Sequence, residues 1–65
     1  METFTKNEFL ILAYDNEQEA ETYYHEWKTL TLAGYLLAAR DSYRHYKERV
    51  RAAKYARKRA KQVKN

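Results

Sequence analysis

The chain has 65 residues, with 13 Lys and Arg against nine Asp and Glu, a single glycine, and neither proline nor cysteine. Without cysteine no disulfide reinforces so short a chain, and a lone core of this size supplies only roughly 3 to 5 kcal/mol of net stability. The scarcity of glycine and proline, with abundant Ala, Leu, Glu, Lys and Arg, argues against an all-β or α/β design and predicts an all-α protein.

Met1 to Lys6 is polar and acidic. The longest apolar run, Phe9 to Tyr14, is too short to span a bilayer or serve as a secretory signal, so a soluble, cytoplasmic protein with no membrane partner is expected. Thr5 followed by Glu8 matches a capping box, which starts a first helix near residue 6 and carries it to about 29. Within it Phe9, Ala13, Asn16, Ala20, Tyr23, Trp27 and Leu30 recur at alternating steps of four and three, the spacing of a helical seam. Asn16 is the one polar member; it either fixes the register of the seam or, with Asp15 and Gln18 forming a second capping box, marks an interruption. Phe9 to Tyr14 alone would also suit a strand, but no second strand-like run exists to pair with it.

A second helix is expected over residues 33 to 62. Leu36, Ala39, Tyr43, Tyr46, Val50, Ala53 and Ala60 form its stripe, with Arg57 in the remaining place. The two stripes are out of phase, which a reversal resolves, and Thr29, Thr31 and Gly34 place the turn between residues 29 and 34. An antiparallel two-helix hairpin follows. Centred near Thr31, the fold-back sets Trp27 level with Leu36, Ala20 with Tyr43, Ala13 with Val50 or Ala53 and Phe9 with Ala53, and leaves Arg57 onward overhanging. An apolar run that surrounds a helix needs more than one neighbour. The hairpin is therefore expected to form a homodimer, a four-helix arrangement, through Phe9, Leu10, Leu12, Ala13, Tyr14, Leu30, Leu32, Tyr35 and Leu37.

Charge divides the chain. Residues 1 to 32 carry seven acids and two bases, a net of −5, and residues 33 to 65 carry eleven bases and two acids, a net of +9. Arg40, Arg44, Lys47, Arg51, Lys54, Lys58 and Lys61 repeat at helical spacing. Such a stripe is either a solvated face, partly paired with the acidic first helix, or a surface for nucleic-acid phosphates, for which Arg44, Lys47, Arg51, Lys54, Lys58 and Lys61 are the candidates. Tyr55, like Tyr35, lies off the seam and is a candidate partner contact. No zinc finger, helix-turn-helix spacing or RNA-binding aromatic motif accompanies the bases. The tail offers too little apolar surface beyond Val50 for membrane insertion. Glu21 with His25, and Asp41 with His45, have metal-like spacing but fall on outward positions, where such pairs commonly just stabilise a helix. Ser42 is the only serine and a two-helix chain lacks a concave pocket, so no catalytic residue and no cofactor are expected.

The segments NEFLILAYDNEQEAETYY and LTLAGYLLAARDSYRHYKERVRAAK resemble the small helical accessory proteins encoded in the early region of lambdoid temperate phages, between the exonuclease and excisionase genes. The resemblance implies a small regulator of phage development that acts on a bacterial host protein, with no catalytic residue to carry over. Two functions are thus in view: a non-enzymatic interaction protein, and a DNA- or RNA-binding protein that uses its basic helix.

Overall fold

The computed structural model describes residues 4 to 63. Two helices, α1 (Lys6–Ala33) and α2 (Leu36–Gln62), pack against each other as a hairpin 49 Å long and 18 × 15 Å across. The Thr5 hydroxyl accepts from the Glu8 amide at 3.1 Å while the Glu8 carboxylate accepts from the Thr5 amide at 2.7 Å, so both halves of the expected capping box form. From there α1 runs without interruption past Asp15. The Asn16 side chain explains why: its amide donates to the Leu12 carbonyl at 2.9 Å and leaves the helical ladder intact.

The turn falls later than the threonines suggest. Thr31 sends its hydroxyl back to the Trp27 carbonyl at 2.7 Å, a bond made inside a continuing helix, so α1 extends to Ala33 rather than ending near residue 29. Gly34 then takes the left-handed conformation (φ 88°), with Gly34 N–H donating to the Thr31 carbonyl and Tyr35 N–H to the Leu30 carbonyl, the Schellman pattern. A reversal needs a positive φ here, and the chain's only glycine supplies it.

Moving the pivot from Thr31 to Gly34 shifts every cross-helix partner by about six residues, because each residue of advance along α1 is answered by one along α2. Phe9 therefore packs on Ala56, Ala60 and Val63 rather than level with Ala53. The overhang disappears. Arg57, expected to project beyond the first helix, instead holds Glu17 through Nε and Nη2 at 2.7 and 2.8 Å.

On α1 the buried positions Phe9, Ala13, Asn16 and Ala20 are those of the expected stripe. On α2 they are Ala39, Ser42, Ala53, Ala56 and Ala60. Ala39, Ala53 and Ala60 belong to the expected stripe, but Ser42 and Ala56 replace Tyr43 and Arg57, and Leu36 is largely exposed. The seam of α2 is thus rotated by one position from the most apolar stripe. Small side chains permit this because alanine against alanine lets two helices approach, whereas Tyr43 or Arg57 in the same place would wedge them apart. Phe9 and Ala13, expected between subunits, lie enclosed within the hairpin at 8% and 0% exposure and are not free for a second copy. Leu10, Leu12 and Tyr14 remain outward, as do Leu32, Tyr35 and Leu37; Leu30 is half-buried.

Candidate interaction surfaces

The rotated seam divides the flanks of the hairpin into two unlike edges. Along one, at seven-residue intervals, run Leu10, Glu17 and Tyr24 of α1 and Leu36, Tyr43, Val50 and Arg57 of α2. Here the rings of Tyr24, Trp27, Tyr43 and Tyr46 close a circuit, with centroids 5.5 Å (Tyr24–Trp27), 5.1 Å (Trp27–Tyr43), 5.8 Å (Tyr43–Tyr46) and 5.4 Å (Tyr46–Tyr24) apart. These separations are those of attractive ring pairs. Lys28 and Lys47 hold their ammonium groups 5.6 Å from the Tyr24 and Tyr43 centroids. Beside the rings lies an open groove of about 490 Å³ floored by Ala20, Tyr24, Tyr46, Val50 and Ala53 and rimmed by Glu17, Glu21 and Lys54.

The opposite edge is polar. Ser42 donates to a Glu26 carboxylate oxygen at 2.6 Å, and the His45 ring stacks on Tyr23 at 5.1 Å with Nδ1 3.5 Å from Glu48. Arg49 reaches the Asn16 side-chain oxygen at 3.4 Å and the Glu19 carboxylate at 3.1 Å, although its Nε–H is not aimed along the second contact. The hydrogen-bonded pair Glu17–Arg57 has a titration signature. Chiefly through the side-chain hydrogen bond, Arg57 holds the Glu17 carboxyl below its ordinary value, and Glu17 raises that of Arg57.

The basic stripe survives intact. Arg40, Arg44, Lys47, Arg51, Lys54, Lys58 and Lys61 are all exposed on the outward side of α2, a row spanning roughly 32 Å at 1.5 Å per residue. Among the described residues, Arg44, Arg49 and Arg57 are the α2 bases with a carboxylate within 4 Å, and of the row Arg44 alone is so paired, 3.6 Å from Asp41. Tyr55 is 57% exposed and lies under the Arg59 guanidinium, which also covers Phe9. The row and Tyr55 thus share one helix while the turn end carries a separate apolar cluster of Leu32, Tyr35, Leu36 and Leu37, each more than 60% exposed.

No group of three or more His, Asp or Glu side chains gathers to hold a metal ion among the described residues. No helix among them is long and apolar enough to cross a membrane. Sequence reasoning missed Ser42–Glu26, whose members lie off the apolar stripes, and Glu17–Arg57, in which Arg57 fills a stripe position and Glu17 lies beside one. The signal present was the matched seven-residue spacing of residues 10, 17, 24 and 36, 43, 50, 57, which sets Glu17 and Arg57 on facing edges; their common level follows from the pivot at Gly34. Comparison with family models, with curated proteins and with solved structures finds no match to this chain.

Proposed function

We propose that this hairpin is a small non-enzymatic interaction protein, phage-encoded, that docks onto a bacterial host protein and modulates phage development. The observation that supports it is the imbalance of apolar side chains. Among the described residues Phe9 is the only large one buried, while Leu32, Tyr35, Leu36 and Leu37 stand together in solvent at the turn. Contiguous apolar clusters of this kind mark places where another macromolecule docks. The row of bases and Tyr55 would flank such a partner and orient it. The resemblance of the chain to phage early-region accessory proteins supplies the setting.

The test is affinity capture from nuclease-treated bacterial lysate with the native chain and with Leu32→Glu/Leu37→Glu. A partner retained by the first and lost by the second is the expected result. Recovery of nothing but the chain itself would remove the proposal.

A second reading, direct DNA or RNA binding, draws on the seven exposed bases in a single row without an intervening acid on that stripe. Engagement of several phosphates would give a log-log salt slope of about −0.9 per phosphate on duplex DNA. A mobility shift measured at two salt concentrations checks this, and absence of any shift at low salt disposes of it.

A further inference from the structure

Resting on the reading that this chain works by association, we infer that the groove edge carrying Tyr24, Tyr43 and Val50 is covered by the same edge of a second copy, with the two-fold axis parallel to the helices.

The first ground is the rotation of the α2 seam. The most apolar direction of α2 runs along Ala39, Tyr43, Tyr46, Val50, Ala53 and Ala60, whereas the intramolecular contact uses Ser42 and Ala56 in place of Tyr43 and Arg57. The apolar stripe therefore points between α1 and the groove edge, half into the hairpin and half out of it. A helix with such a stripe buries it fully only against two neighbours, the condition met in a four-helix bundle. Tyr24 and Tyr43 remain 36% and 39% exposed, with Leu10 at 37% and Leu36 at 66% on the same edge. The opposite edge, with Glu19, Glu26, His45 and Arg59, offers no comparable stripe. A face 49 Å long and 18 Å wide presents roughly 800 Å² per copy, the area of a standard stable interface.

Charge decides both the occupant and its orientation. Helix α1 carries six acids and two bases, and α2 ten bases and two acids, nets of −4 and +8. A two-fold axis across the face would stack α2 on α2 and α1 on α1, like upon like. An axis along the hairpin instead lays α1 of one copy on α2 of the other, with every neighbour antiparallel and opposite in net charge. Lys47 and Lys54 of one copy then come over the Glu17 and Glu21 rim of the other. The two Glu17–Arg57 pairs meet at one level as a ring of alternating sign, which keeps each charge partnered as water leaves. The four-ring circuits pool at the other end, and both turns project from the same end of the dimer.

The experiment uses the full chain, which has no native cysteine to interfere with labelling. A spin label at Ala33→Cys, exposed at the end of α1, reports the distance between turns by double electron–electron resonance, and sedimentation gives the mass. Helix axes in contact lie roughly 8 to 10 Å apart, so a dimer with labels within about 25 Å is expected. Val50→Glu should weaken the dimer at least about tenfold while Leu12→Glu, on the polar edge, leaves it unchanged; circular dichroism confirms that each remains helical. A dimer with labels beyond about 40 Å, or one weakened by Leu12→Glu and not by Val50→Glu, would overturn the arrangement. A monomer at all concentrations would overturn the inference outright, yet leave host-protein capture through the turn standing if that is observed.

Discussion

At its free end the hairpin closes Phe9, Ala13, Ala56 and Ala60 to 8% exposure or less, with Phe4 edge-on to the Phe9 ring at 5.2 Å and Arg59 over its face. At its turn end four larger rings touch one another, yet Tyr24 and Tyr43 stay more than a third exposed. The end with the smaller side chains has the more complete core. Alanines set opposite one phenylalanine are enclosed by two helices alone, whereas a tyrosine or tryptophan stands too tall for a two-helix crevice and needs a third surface. Helix formation and core completion are therefore separate matters in this molecule: both ends are helical, and one of them is finished.

The contrast can be broken at the free end. Phe9→Ala removes the one large buried side chain and should cost about 3 kcal/mol or more, enough to unfold much of so small a protein, as thermal circular dichroism would show. Trp27→Ala, at the half-open end, should cost less than half of that in the same measurement; equal losses would erase the distinction between the ends. Next in size is Gly34→Ala. A Cβ there meets nothing within 4 Å, so the expected loss of about 1 to 2 kcal/mol is purely conformational, and denaturant titration measures it. Ser42→Ala should cost about 1 kcal/mol through the lost bond to Glu26, with the carboxylate free to turn back to water.

The smallest effect concerns acid. The Glu17 carboxyl titrates below its ordinary value in the folded chain, so the unfolded chain takes up the proton first. The stabilisation from the Arg57 pair is full above the ordinary glutamate range, near pH 4 to 5, and is lost as pH falls through the lowered folded value. Glu17→Gln should flatten this part of the stability profile and leave the neutral-pH fold unchanged.

The α1 stripe, the capping box and Gly34 as the turn residue were legible because each is written locally, in a seven-residue recurrence or in a single conformational need. The pivot was less legible. Thr29 and Thr31 suit a helix cap and a helix interior alike, and only the backward bond of Thr31 to Trp27 decides between them. The α2 seam misled for a different reason. Ranking positions by apolarity selects Tyr43 and Val50 over Ser42 and Arg49, but close approach depends on size, and polar side chains with partners on α1 are accepted there. The basic row was legible as an exposed stripe, since charged side chains stay in water unless a partner draws them in, as Asn16 does Arg49. Leu10, Leu12, Tyr14, Leu32, Tyr35 and Leu37 were legible as lying outside the hairpin, whereas the exposure of Leu36 and Tyr43 was not, because it depends on the rotation of α2 about its own axis.

Asn16 has one more consequence. A zipper built from Ala13, Ala20, Ala53, Ala56 and Ala60 has teeth of one size, which by themselves give little definition to the setting of α2 along α1. The buried amide oxygen of Asn16 accepts from Arg49 at 3.4 Å in the observed setting; with α2 moved by seven residues it would face Ala56, which has no side-chain donor, or the much shorter Ser42 hydroxyl. A single amide midway along the rod thus acts as a detent, giving otherwise interchangeable teeth one resting position.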